Sequence, residues 1–185
     1  AKIIKHDHGH NSVITGGRGT ASRTTGLLGG IFAYAVKKRL RPDNPTRGIT
    51  RFRDKSVDRF LSPQELTKLG DALTKAQDGN PYAVAAIRLL ALTGCRKGEI
   101  LSLRWSYVDF GRSRLALPDS KTGAKAVPLG APALELLSTI PKIDGNPFVF
   151  PGRKQGAHIV DLFEVWKRAR ESAGIPDIRL HDLRH

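Results

Sequence analysis

Apolar positions change their spacing several times along the chain, and each change marks a predicted element. From Ser22 to Leu40 the residues Leu27, Leu28, Ile31, Phe32, Ala35 and Val36 recur at three- and four-residue intervals, which predicts a helix. Gly26, Gly29 and Gly30 weaken it, and Arg41-Pro42-Asp43-Asn44-Pro45 ends it, since proline disfavours helical backbone at the residue before it. Residues 1–21 are rich in Gly, Ser, Thr and His without periodicity and read as loop or lead-in. Ile49–Arg59 is polar, basic and unpatterned, and reads as a linker.

A second body is predicted to begin at Ser62-Pro63-Gln64-Glu65, where a capping box with proline at the first helical position opens a helix to about Ala76. Asn80-Pro81 opens the next, which is apolar on nearly every side through Leu92 and therefore central. A break at Thr93-Gly94 leads to a short helix through Leu103. Tyr107–Phe110, Arg114–Leu117 and Ala126–Leu129 read as three short strands joined by turns at Gly111-Arg112 and Ser120-Lys121-Thr122-Gly123. A helix over Ala131–Thr139 follows, then a short extended piece at Phe148–Phe150. An amphipathic helix spans Asp161–Ala173 with Leu162, Val165, Trp166 and Ala169 inward, and a last helix begins at His181. The pattern is α+β: a mostly helical body around a small three-stranded antiparallel sheet.

Composition narrows the functional classes. With 39% hydrophobic and 26% charged residues in 185, the chain is ordinary for a globular protein. Its longest apolar run, Ala83–Leu92, is broken by Arg88 and falls short of the ~18–20 residues of a membrane span. One cysteine, Cys95, excludes an internal disulfide framework and fits a reducing compartment, so a cytoplasmic protein is expected. The net charge is +14; residues 1–55 carry 12 Lys or Arg against 3 Asp, and residues 56–185 carry 19 basic against 14 acidic. That excess points to a polyanionic partner, contacted heavily by the N-terminal part. Charge alone does not separate nucleic acid from a ribosomal or membrane-surface role.

Two short motifs carry the candidate chemistry. In Thr93-Gly94-Cys95-Arg96-Lys97-Gly98-Glu99, Arg96 follows a helix break, so it can emerge at a helix N-terminus with Glu99 three residues on to hold it. Taken alone, the pair also fits a surface Arg–Glu pair. In His181-Asp182-Leu183-Arg184, the His and Arg share one helix face, an arrangement equally open to a salt-bridged pair with Asp182. Lys121 stands at a predicted hairpin tip, where a flexible ammonium can reach a leaving oxygen, and Lys125 is its competitor. Arginine grips phosphate through a planar fork, and His and Lys can move protons near neutral pH. His6, His8 and His10 with Asp7 have metal-ligand spacing but no paired second half, and His158 has no evident partner. No metal or cofactor is expected.

In this order the motifs resemble those of the tyrosine recombinase (phage integrase) family: TGxRxxE, a strand-turn lysine, then HxxR. Leu101–Asp109 is similar to the family's stretch leading into its first strand. Ala35–Pro45 and Phe60–Pro63 are similar to its interdomain junction. The resemblance covers about residues 22–185. It implies a DNA breaking-rejoining catalytic domain at 60–185, a linker at 49–59, and at 1–48 a leader plus the final helix of an α-helical core-binding domain.

It further implies that Arg96 and Arg184 clamp the scissile phosphate, that His181 assists proton transfer, that Lys121 is the general acid and that Glu99 supports the pocket. Lys37, Lys38, Arg39, Arg41 and Lys125 are expected on DNA. The family's nucleophilic tyrosine follows the HxxR motif. Tyr34, Tyr82 and Tyr107 all precede it and read as packing residues, so the chain is expected to be a piece lacking the nucleophile and inactive by itself. The expected partners are double-stranded DNA and, for the whole protein, a homotetramer on DNA near the bacterial nucleoid. Two rivals stand beside this reading: a non-catalytic DNA-binding module, and a type IB topoisomerase sharing the chemistry without synapsis.

Overall fold

Local signals in residues 58–185 set up one packed unit, and residues 1–57 form another; each is described by itself. The computed structural model describes residues 2–4, 13–15, 17–52, 59–77, 79–118 and 123–184.

In the first unit, β1 (Lys2–Ile4) pairs antiparallel with β2 (Val13–Thr15), with Ile3 opposite Ile14 and Ile4 opposite Val13. This corrects the reading of residues 1–21 as loop: β-branched residues favour extended backbone, but the runs are too short for alternation to show. Helix α1 (Arg18–Lys37) starts four residues before the predicted Ser22, and none of its residues is buried. Leu27, Leu28, Ile31 and Tyr34 are exposed, so Tyr34 is not a core packing residue; the Lys38 ammonium lies 5.8 Å from its ring centroid. Asn44 ties the following turn back to the helix, donating to the Gly29 carbonyl at 3.0 Å while its own side-chain oxygen accepts from Thr46.

The second unit is built around α3 (Pro81–Thr93). Seven of its 13 residues are buried, as an apolar sequence on every face requires. Helix α2 (Pro63–Lys75) begins with the predicted capping box: the Glu65 N–H donates to Ser62 Oγ at 3.2 Å, and the Ser62 N–H donates to Glu65 Oε2 at 2.8 Å. Arg59 reinforces that start, reaching Glu65 through both terminal nitrogens and Asp177 Oδ2 through Nε at 2.9 Å. Arg59, expected to close the linker, is therefore part of this unit.

A short helix α4 (Lys97–Leu101) and a 3₁₀ turn at Trp105–Tyr107 lead into the antiparallel sheet β3 (Val108–Asp109), β4 (Arg114–Leu117) and β5 (Lys125–Pro128), ordered β3-β4-β5. Leu115 and Leu117 on β4 are buried against the core. Helix α5 covers Ala131–Thr139, and α6 runs from Phe163 to Ser172 with Asp161 Oδ1 accepting from the Leu162 and Phe163 amides. On α6 Trp166 and Ala169 are buried, as is Leu162 at its cap, with Val165 partly so. The final segment Leu180–Arg184 is a 3₁₀ helix rather than an α-helix beginning at His181. The fold is α+β, mostly helical, with a three-stranded antiparallel sheet.

Candidate active site

The site starts where α3 stops. Thr93 Oγ1 donates to the Leu89 carbonyl at 2.6 Å, and Gly94 takes the left-handed conformation (φ 60°) that L side chains rarely adopt. Cys95 then buries its side chain, 2% exposed, and Arg96 becomes the N-cap of α4 with extended backbone. This turn aims the Arg96 side chain out of the core while its backbone stays fixed.

Glu99 organises what surrounds it. Its side chain is only 8% exposed and accepts from three donors: the Arg96 amide at 2.8 Å, Arg96 Nη1 at 3.0 Å and Lys125 Nζ at 2.8 Å. Burial pushes the carboxyl upward, but the hydrogen bonds from Lys125 and from the Arg96 backbone and side chain outweigh it and hold Glu99 below the ordinary carboxylate range. The sequence suggested that the α4 N-terminus would offer its amides to a phosphate. Glu99 takes the Arg96 amide instead. Among the described residues, Nη1 is the one Arg96 side-chain nitrogen with a hydrogen-bond acceptor, and the side chain is 33% exposed.

Lys125 reaches Glu99 because β5 begins there, paired with Leu117 across the sheet. Lys121, the predicted hairpin-tip residue, lies outside the described residues, as do His6, Asp7, His8 and His10. Among the described residues no group of three or more His, Cys, Asp or Glu could hold a metal, and no helix is long and apolar enough to cross a membrane.

The second motif comes to the same turn. The Arg184 carbonyl oxygen lies 4.0 Å from where a Cβ on Gly94 would stand, so the end of His-x-x-Arg comes against the glycine of Thr93-Gly94-Cys95-Arg96. Within Leu180–Arg184, Asp182 and Leu183 are buried while His181 and Arg184 are exposed. In a 3₁₀ helix residues three apart eclipse one another, so His181 and Arg184 share the outer face. The sequence left Asp182 open as a partner of either neighbour. Its carboxylate, 1% exposed, accepts from the Arg179 amide at 2.8 Å and from the Arg179 side chain, with Nη2 at 2.6 Å. That ion pair anchors the motif, and sequence reasoning missed it because Arg179 precedes the motif.

The cations of the first unit, Lys37, Lys38, Arg39 and Arg41, are all exposed. Arg41 pairs weakly with Asp43 at 3.5 Å.

Comparison with known proteins fits this geometry. Residues 59–185 match the model of the phage integrase family. The chain is 35% identical over 141 residues to the prophage integrase IntF of Escherichia coli K12, covering 68% of this chain and 30% of that protein. It is 34% identical over 130 residues to a shufflon-specific DNA recombinase of Escherichia coli, covering 69% and 31%. The chain thus spans about a third of the length of these curated relatives. In fold it is similar to a lambda integrase dimer bound to a COC' core site, with a TM-score of 0.66 at 20% identity over 90% of this chain and 64% of that one. With the two arginine motifs meeting at one turn and a family match across the unit that holds them, the chain belongs to the phage integrase family of tyrosine recombinases.

Proposed function

We propose that the protein carrying this chain is a site-specific DNA recombinase that cuts and rejoins duplex DNA through a 3′-phosphotyrosyl intermediate. The observation that supports the reading is the approach of the His181–Arg184 segment to the Thr93–Glu99 turn, where the Arg184 carbonyl lies against Gly94 and Glu99 holds Arg96. In this reading Arg96 and Arg184 grip the non-bridging oxygens of the scissile phosphate and stabilise the charge that builds at phosphorus. A tyrosine oxygen attacks phosphorus, the P–O5′ bond breaks, and the new ester keeps the bond energy for rejoining. His181 contacts the phosphate or moves the tyrosine's proton, and Lys121 protonates the departing 5′ oxygen. The family's tyrosine follows the HxxR motif, and the 185 residues carry no tyrosine after Tyr107. By itself the chain is therefore proposed to bind DNA without cleaving it.

Lys125 receives a different role. Its ammonium is paired with Glu99 at 2.8 Å, which suits it to hold the carboxylate that positions Arg96 rather than to donate a proton. Residues 1–48 are proposed as part of a core-binding domain contributing Lys37, Lys38, Arg39 and Arg41 to the DNA backbone, with a linker from residue 49 that ends before Arg59 and a catalytic domain from Arg59 onward. The whole protein is proposed to work as a tetramer on DNA in the cytoplasm.

The general-acid assignment is tested in the protein carrying this chain with a substrate whose 5′ leaving group is a bridging sulfur, which departs without a proton. Lys121→Ala is expected to cut the ordinary substrate poorly and the sulfur substrate well. Lys125→Ala and Arg96→Ala are expected to gain nothing from the sulfur. Rescue of Lys125→Ala, and not of Lys121→Ala, would move the role to Lys125.

A further inference from the structure

A cleft of about 320 Å³ opens beside the Arg96–Glu99–Lys125 array and shares Glu99 as a wall. Arg104 lies on its rim, with its guanidinium carbon 4.8 Å from the centroid of the Phe148 ring. Phe148 meets His158 edge-on, the ring centroids 5.0 Å apart and the planes at 66°. The backbone fixes this stack from two sides. Arg104 and Phe148 form an antiparallel bridge, the Val149 N–H donates to the Leu103 carbonyl at 2.9 Å, and Pro151 bridges to His158. His158 is held in turn by its Nδ1, 2.8 Å from the Ile159 carbonyl; a carbonyl only accepts, so Nδ1 carries the proton.

A guanidinium stacked on a ring has its face occupied and its N–H edges open. Among the described residues those edges meet no acceptor, and the hydroxyl of Tyr107, which also lines the cleft, has no hydrogen-bond partner. Glu99 does not repel an anion there, because Arg96 and Lys125 already offset its charge. The cleft therefore has a guanidinium held over Phe148 and a tyrosine in its lining, and through Glu99 it borders the Arg96 pair.

We propose that Arg104, stacked on Phe148, and Tyr107 form a second phosphate site, which takes the DNA phosphodiester neighbouring the one held at Arg96. The site rests on the recombinase reading and adds a positioning function to it. Holding the next phosphate fixes the strand's register over Arg96 and keeps the scissile phosphate from sliding.

The test is salt-dependent binding of the 185-residue chain to a duplex DNA. Each phosphate neutralised contributes about 0.9 to the slope of log affinity against log salt. Arg104→Ala is expected to weaken binding and to lower the slope's magnitude by about 0.9, as one lost phosphate contact requires. Arg104→Lys keeps the charge but not the fork, and is expected to hold the slope while losing affinity several-fold. Wild-type slope and affinity in both variants would overturn the site. Should Arg104→Ala fail to fold, Arg104→Lys decides alone: reduced affinity at an unchanged slope supports the site, and wild-type affinity overturns it. If the unsubstituted chain shows no salt-dependent duplex binding, the recombinase reading itself fails; if it binds and the Arg104 variants match it, only this site does.

Discussion

A carboxylate left 8% exposed keeps its charge only if donors replace the water it has lost, and Glu99 has three of them, two from Arg96 and one from Lys125. Glutamine keeps the shape but offers a single acceptor oxygen, so Glu99→Gln must release at least one partner and leaves Lys125 without a counter-charge. Under the proposed reading, this substitution in the protein carrying the chain costs cleavage on the order of 10²-fold through a misplaced Arg96. DNA affinity should change little, because binding is spread over many phosphate contacts. Single-turnover cleavage measured beside equilibrium binding separates the two. Equal losses in both would show that Glu99 serves general folding instead. At this scale the sequence was informative about residue types and poor on pairings. Arg96 and Glu99 could be paired from their spacing, but Lys125 could not, because it comes to Glu99 only through the β4–β5 register. Arg104 and His158 were likewise invisible as partners, since the ring between them, Phe148, joins them only in the folded unit.

Helix starts and stops were legible wherever a local hydrogen bond decides them. Ser62 and Glu65 form the reciprocal cap, Asn80 Oδ1 accepts from Ala83, and Gly94 ends α3. The misreadings fell where tertiary packing or very short runs decide: the β1–β2 pair, and the 3₁₀ form of the last segment. Ser62→Ala is expected to lower stability by about 1 kcal/mol, read from the shift in the urea midpoint. The same cap makes a pH prediction. Hydrogen bonding to Arg59 and to the Ser62 amide lowers the Glu65 carboxyl from 4.5 to about 2. Its folded-state value lies below its unfolded one, so the unfolded chain binds more protons in that window and stability falls as pH drops. The contribution is complete above about pH 4.5 and is lost toward pH 2. Glu65→Gln should therefore be the less stable protein at neutral pH, with the gap to the unsubstituted chain closing on acidification. A gap that stays constant from pH 6 to 2.5 would contradict the assignment.

Across the whole chain, two units divide the labour differently. Residues 58–185 hold the buried core and the candidate site, whereas none of residues 17–52 reaches core burial, and residues 1–55 carry 12 of the 31 Lys and Arg. That division suits a protein whose affinity comes from dispersed phosphate contacts and whose chemistry comes from one turn. In the proposed reading Arg96 and Arg184 act together on one phosphodiester. Trapping the covalent adduct between the protein carrying this chain and a nicked duplex substrate measures that joint action. The unsubstituted protein should form a 3′-phosphotyrosyl adduct. Arg96→Ala and Arg184→Ala should each form it roughly 10²–10³-fold more slowly while still binding the DNA, and Arg→Lys should recover little of the loss. Adduct formation at the normal rate by either alanine variant would show that the two arginines do not share the scissile phosphate.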